Sequence, residues 1–279
     1  MERPKRSEVR WAGRLTSRPL PERDPELDAL EPEQRSQLSA VWLARAASER
    51  RVADAFEVVR DALEDLGSEP RLQALAARAV DDEHRHAELA RRVASRFAGR
   101  ELEAPPRLTL VVPEHRGAPD RLRSSLHVLG HCAMNETFAS AFLEAALGSC
   151  HAPYARAALR ELLSDEVDHA RIGWAHLAAL RGDERAELAP WLESLVRENL
   201  KMWREAGRQY SNDPALHRHG APSAAVAESA VLGAVSELIL PGLAHFGLAT
   251  HSLRRWLDEG APTHATRGTN SSLASCVSR

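Results

Sequence analysis

A chain of 279 residues that is 43% hydrophobic can bury one large core or two small ones, and a formal charge of -3 with its basic residues spread out excludes nucleic-acid binding driven by charge. The three cysteines, Cys132, Cys150 and Cys276, are too few and too scattered for a disulfide framework or a CxxC metal clip. No apolar run is expected to reach bilayer length and no hydrophobic leader opens the sequence, so the expectation is a cytoplasmic protein without a membrane partner.

Residues 1–30 are rich in proline and charge, and 261–279 are small and polar; both are expected to be mobile ends. Between them the punctuation is helical. Pro32 opens a first segment and Gly67 closes it; Pro70 opens a second, which ends at Gly99. A long connection, 99–120, follows, and only its stretch from Arg107 to Val112 hints at strand alternation. The third segment ends at Gly148, Pro153 opens the fourth, and Gly182 ends that. A further helix is predicted over 187–207 and a last one over 222–258, bent at Leu240, Pro241 and Gly242. The last is apolar nearly all round, which suits burial against the bundle or a second subunit and the covering of a substrate pocket.

The predicted fold is therefore all-α. Two helical hairpins joined by one long link make a four-helix bundle with a crossover over 31–182, and the helices of 183–260 are additional.

On each bundle helix the apolar stripe repeats at helical spacing and is interrupted at the same depth by acid. Leu38, Val41, Trp42, Ala46, Val52, Ala53 and Phe56 share their stripe with Glu49. Leu72, Leu75, Ala76, Ala79 and Val80 lead to Glu83 and His86. Val128, Leu129, Cys132 and Ala133 lead to Glu136, in the least clean stripe of the four, since Ser125 stands where an apolar residue is expected. Ala155, Ala158, Leu159, Leu162 and Leu163 lead to Glu166 and His169.

The depth can be checked from the turns, because hairpin partners lie at similar distances from them. Glu49 lies 18 residues before Gly67, Glu83 16 after and His86 19 after; Glu136 lies 14 before Cys150, Glu166 16 after and His169 19 after. The competing acids Glu57, 10 before the first turn, and Glu144, 6 before the second, fall out of the layer.

Four carboxylates buried together without a counter-charge cost several kcal/mol each, so something positive belongs between them. Residues three apart on a helix project from nearly the same face, so each Glu-x-x-His supplies an oxygen and a nitrogen ligand. The set fits two divalent cations, and its oxygen-rich, nitrogen-poor chemistry favours iron or manganese over a thiolate-loving metal; two iron ions are the leading expectation, with manganese or a mixed pair as the alternative. An aspartate precedes each pair; Asp165 is predicted to hold His86, and Asp82 to hold His169, across the bundle.

The pattern Glu49, Glu83-x-x-His86, Glu136, Glu166-x-x-His169 resembles the ferritin-like di-iron carboxylate proteins over about residues 35–182. "DDEHRHAELA" and "SDEVDHARIGWAHL" look most like bacterial ferritin-like-domain proteins, and more distantly like rubrerythrins and arylamine N-oxygenases. The resemblance implies that Glu49 and Glu136 are single-helix ligands and that the two Glu-x-x-His pairs supply bridging glutamates and terminal histidines. Leu162 stands where arylamine N-oxygenases carry a further histidine, and the chain lacks the cysteines for the second iron domain of full-length rubrerythrins.

The leading expectation is an oxidase or oxygenase that uses O2 at the metal pair to oxidise a small organic substrate, with a separate electron donor and a homodimeric assembly. The alternatives are a ferroxidase or peroxide-detoxifying protein without organic substrate, and a non-enzymatic helical binding protein with a structural metal. Around the layer, Phe56 and Cys132 are expected to line the space, His127, His131 and Asn135 to form a polar row beside it, and His84 and Glu88 to face solvent. Arg45 on the inner stripe is expected to snorkel, the alternatives being to neutralise a carboxylate or to bind an acidic substrate.

Overall fold

The computed structural model describes residues 18–259, so the expectations for 1–17 and 261–279, Cys276 among them, lie outside the described residues. Eleven helices occur among the described residues: α1 Pro25–Asp28, α2 Pro32–Asp65, α3 Pro70–Ala98, α4 Asp120–Val128, α5 Glu136–Ser149, α6 Pro153–Ala179, α7 Gly182–Gly207, α8 Pro214–Arg218, α9 Ala224–Gly233, α10 Leu240–His245 and α11 His251–Asp258. Two π-helical segments, Leu129–Asn135 and Ala234–Ile239, join α4 to α5 and α9 to α10 without a break. Proline opens α2, α3 and α6, where its missing N–H would have no intrahelical partner in any case.

The bundle consists of α2, α3, α4–α5 and α6, with the long crossover between α3 and α4, as expected. No strand forms among the described residues. The stretch Arg107–Val112 has no sheet edge to pair with, and Leu108, Val111 and Val112 stay exposed. The crossover is held to the bundle by Arg50 Nη1, which donates to the Pro105 carbonyl (2.7 Å), and by Arg107 paired with Asp54. Part of the N-terminal stretch expected to be mobile is packed: Asp24 and Leu27 are each 1% exposed, and Asp24 accepts from Tyr154 N (2.9 Å).

Three apolar clusters surround the centre. One holds Trp42, Leu89, Val93, Phe97, Phe142 and Leu159; a second, toward the α2–α3 turn, holds Phe56, Val59, Leu63, Ala76, Ala79 and Cys132. The positions predicted to carry the polar layer fall between these two along every bundle helix. The third cluster joins Leu126, Met134 and Phe138 to Leu188, Leu192 and Val196 of α7 and to Val235 and Ile239, so the C-terminal helices cover the α4–α5 side.

Two C-terminal expectations are corrected. The single helix expected over 222–258 is interrupted: a π turn precedes Pro241, helical backbone continues through it to His245, and the chain turns at Gly247 (φ +77°), where Leu248 N bonds back to Leu243 O at 3.1 Å, before α11 begins. The run Ala224–His245 is therefore continuous for 22 residues and is long and apolar enough, by length and composition, to cross a bilayer, against the sequence expectation. A third (33%) of its most apolar stretch is buried against the bundle.

Candidate metal centre

The six side chains converge. Glu83 is fully buried, as is His86; Glu136 is 1%, Glu166 2% and His169 3% exposed, and Glu49 is less enclosed. Their ligand atoms form two groups, Glu49, Glu83, His86 and Glu166 in one and Glu83, Glu136, Glu166 and His169 in the other, with all atoms of a group within 4.8 Å of one another. Glu83 and Glu166 belong to both. The rejected acids Glu57 and Glu144 lie on the surface, as do His84 and Glu88.

Both imidazoles turn Nδ1 inward. His169 Nδ1 is 2.9 Å from Glu83 Oε1 and 3.1 Å from Glu166 Oε2; His86 Nδ1 is 3.3 Å from Glu166 Oε1 and 3.5 Å from Glu83 Oε2. Nε2 faces outward in both, toward Asp165 Oδ2 at 3.2 Å from His86 and toward Asp82 Oδ2 at 3.6 Å from His169. The aspartates thus sit opposite the histidines in the crossed arrangement that the sequence suggests. Donation of Nε2–H to a carboxylate leaves Nδ1 with a free lone pair.

Arg85 ties the two aspartates together. Its Nη2 lies 2.8 Å from Asp82 and 2.7 Å from Asp165, and its Nη1 lies 2.6 Å from Glu161. Burial works to raise the Asp165 carboxyl, but His86 and then the Arg85 guanidinium hold it well below the usual carboxylate range. Sequence reasoning missed both Arg85 and Glu161. Their signal is that Asp82, Arg85 and Leu89, and likewise Ala158, Glu161 and Asp165, run as single rows on buried helix faces.

Glu136 follows the π segment directly. Residues 132–138 are all buried, because this stretch is enclosed between α6 and the C-terminal helices. At Gly173 the α6 backbone presses on it: a Cβ there would come 2.2 Å from Ala133 N. Asn135 Nδ2 donates to Glu136 Oε1 (2.9 Å), and Trp203 Nε1 of α7 donates to Asn135 Oδ1 (3.0 Å). His131 Nε2 is 3.2 Å from Glu136 Oε1, and its ring stands edge-on to Phe56 at 4.6 Å. His127 leaves the expected row; its Nε2 reaches the Pro113 carbonyl at 3.0 Å and anchors the crossover. Phe56 also touches His169, and Cys132 is fully buried beside Glu136, so both wall the centre.

Burial, with the neighbouring charges of Glu83 and Glu166, pushes Glu49 well above its ordinary range, and burial with Glu166 does the same to Glu136. Burial works against charge on the histidines as well, but the carboxylates around them hold both well above the usual imidazole range. Glu166, facing both imidazoles, is held low despite its burial. Without a cation the layer would balance itself with protons.

A metal pair fits this donor set. Both oxygens of Glu83 and Nδ1 of His86 are buried without a hydrogen-bond partner, an expense that a bound cation removes. The chain is an all-α protein with a buried glutamate and histidine cluster arranged to chelate metal, in two groups able to coordinate divalent ions. No family model, curated protein or solved structure matches it.

Proposed function

We propose that this chain is a di-metal oxidoreductase of the ferritin-like kind, which uses O2 at an iron pair to oxidise a small organic substrate with electrons from a separate donor. The observation that carries the reading is the sharing of Glu83 and Glu166 between two ligand groups, each completed by one further glutamate and one histidine. A structural site needs only one ion with closed coordination, whereas two redox-active ions held side by side could together supply more than one electron to O2.

Bound iron would supply the electrons and Lewis acidity for O2 reduction. The residues supply the rest. Glu83, Glu166, Glu49 and His86 would hold one ion, and Glu83, Glu166, Glu136 and His169 the other. Asp165 and Asp82 fix the imidazole orientation, and Arg85 keeps both aspartates ionised as acceptors. Phe56, Cys132 and Leu162 keep bulk water from the reacting atoms. Glu49, the least enclosed of the six and shifted toward its protonated form, is placed to carry a proton.

The test is anaerobic loading with ferrous iron, metal analysis, and then O2 admission. Two irons per chain and O2 consumption are expected, with both lost in Glu83→Ala and Glu166→Ala. Two irons without O2 uptake would leave a structural metal protein, and no bound metal would refute the reading altogether.

A further inference from the structure

Arg45 lies on α2 one turn before Glu49, a rise of about 6 Å along the helix. It does not snorkel. Both terminal nitrogens, Nη1 and Nη2, are buried, and neither has a hydrogen-bond acceptor among the described residues. The guanidinium lies over the Trp42 ring, 4.4 Å from its centroid, with Phe142 at 5.9 Å. Trp42 is itself fully buried and pinned by Nε1–H donation to the His219 carbonyl at 3.3 Å. No carboxylate among the described residues pairs directly with Arg45; Glu49, the nearest along the helix, feels its charge only at longer range and belongs to the metal groups.

An aromatic face offsets part of a cation's desolvation but accepts nothing from the in-plane N–H donors. Two parallel unsatisfied donors on a planar fork fit a bidentate carboxylate in shape and charge. The surroundings of Trp42, Phe142 and Leu159 are apolar, and they lie on the same side of the metal layer as Arg45.

We propose that Arg45 is the anchor for a substrate carboxylate, so that the substrate is a small acid whose charged end pairs with the guanidinium held over Trp42. The proposal rests on the oxidoreductase reading and deepens it by naming the substrate class. The guanidinium sits at the level of Trp42, seven residues before Glu49 on α2 and so about 10 Å of helix rise from it, which places the carbon presented for oxidation a short apolar segment away from the acid group. Arg45 contributes binding and position, and takes no part in electron transfer.

The test uses the full chain, metal-free and Mn2+-loaded, with Mn2+ stoichiometry measured separately. Hexanoate and its neutral counterpart hexanamide are titrated calorimetrically at matched ionic strength into wild type, Arg45→Met and Arg45→Lys. In wild type, hexanoate is expected to bind roughly tenfold or more tightly than hexanamide; Arg45→Met should abolish the difference with Mn2+ stoichiometry unchanged, and Arg45→Lys should keep a reduced preference. Arg45→Met should also raise the melting temperature, since it removes a buried unpaired charge while preserving volume, whereas a guanidinium serving only to pack on Trp42 would make the variant melt lower. Equal binding of acid and amide, retention of the preference in Arg45→Met, or no hexanoate binding at millimolar concentration overturns the proposal. Should Arg45→Met fail to fold, an acid preference undiminished in a folded Arg45→Lys overturns it equally. Preference for the acid in a chain that takes up no Mn2+ would sink the metal reading and leave the anion site standing; normal Mn2+ uptake without that preference does the reverse.

Discussion

The residues that decide this centre are as much the partners of the ligands as the ligands. Asp165 faces His86 Nε2 at 3.2 Å and at the same time receives Arg85, so its charge orients one metal-facing imidazole. Asp165→Asn keeps the shape and removes the charge; divalent affinity in the half of the site containing His86 should fall by roughly 10- to 100-fold with the fold intact, measured by competition with a chromophoric chelator. A second histidine makes a different prediction. His176 is 3% exposed and 3.2 Å from Ser125 Oγ, and burial pushes its pKa down to about 4. It is neutral in both states at high pH; as pH falls through ~6.5 the unfolded chain takes up the proton first, so stability declines until about 4 and then levels. The decline has a ceiling of ~3 kcal/mol, and urea midpoints across this range should be flatter in His176→Gln than in wild type.

At the scale of elements, the π segment sets where Glu136 points, and Gly173 makes room for it. The four bundle helices were legible because proline and glycine mark their ends and each stripe keeps helical spacing. The π segment was not, because i→i+5 bonding is a response to packing from both sides and has no residue signature; its one trace was the irregular stripe around Ser125. Arg107–Val112 misled for the converse reason, since alternation describes a strand only where a partner edge exists. The layer's depth survived these errors because counting from the turns depends on helix rise. Gly173→Ala would drive a methyl into the Ala133 backbone, a contact that neither helix can relieve by rotating a side chain. It should cost ~1–3 kcal/mol and lower metal stoichiometry, while Gly148→Ala, with nothing within 4 Å of the new methyl, should be neutral or stabilising by up to ~1 kcal/mol. Urea denaturation together with metal analysis of the two variants checks both expectations.

For the whole molecule, the polar layer interrupts a continuous core, so its charge balance is part of the stability of the bundle. The six inward groups could be read from sequence because each carries its own helical register; the row positions of Arg85 and Glu161 were there to see, but their partners, like that of Trp203, depend on which helices become neighbours. Those neighbours also set the proton inventory. Glu49 and Glu136 are pushed toward the protonated form by burial and by the other carboxylates, and His86 and His169 are held protonated by those same carboxylates. A divalent cation must displace these protons, so its affinity should rise with pH until the ligands are free, and fall as acid returns them. Calorimetric titration with Mn2+ in buffers of different ionisation enthalpy should therefore report release of about one proton or more per chain. Binding only to the folded state adds ~2.7 kcal/mol at one hundred times the dissociation constant, which for a domain of this size raises the melting temperature by roughly 5–10 °C. The rise should be larger at pH 8 than at pH 6 for the same Mn2+ concentration, and a melting temperature indifferent to both metal and pH would mean that the layer is held by protons alone.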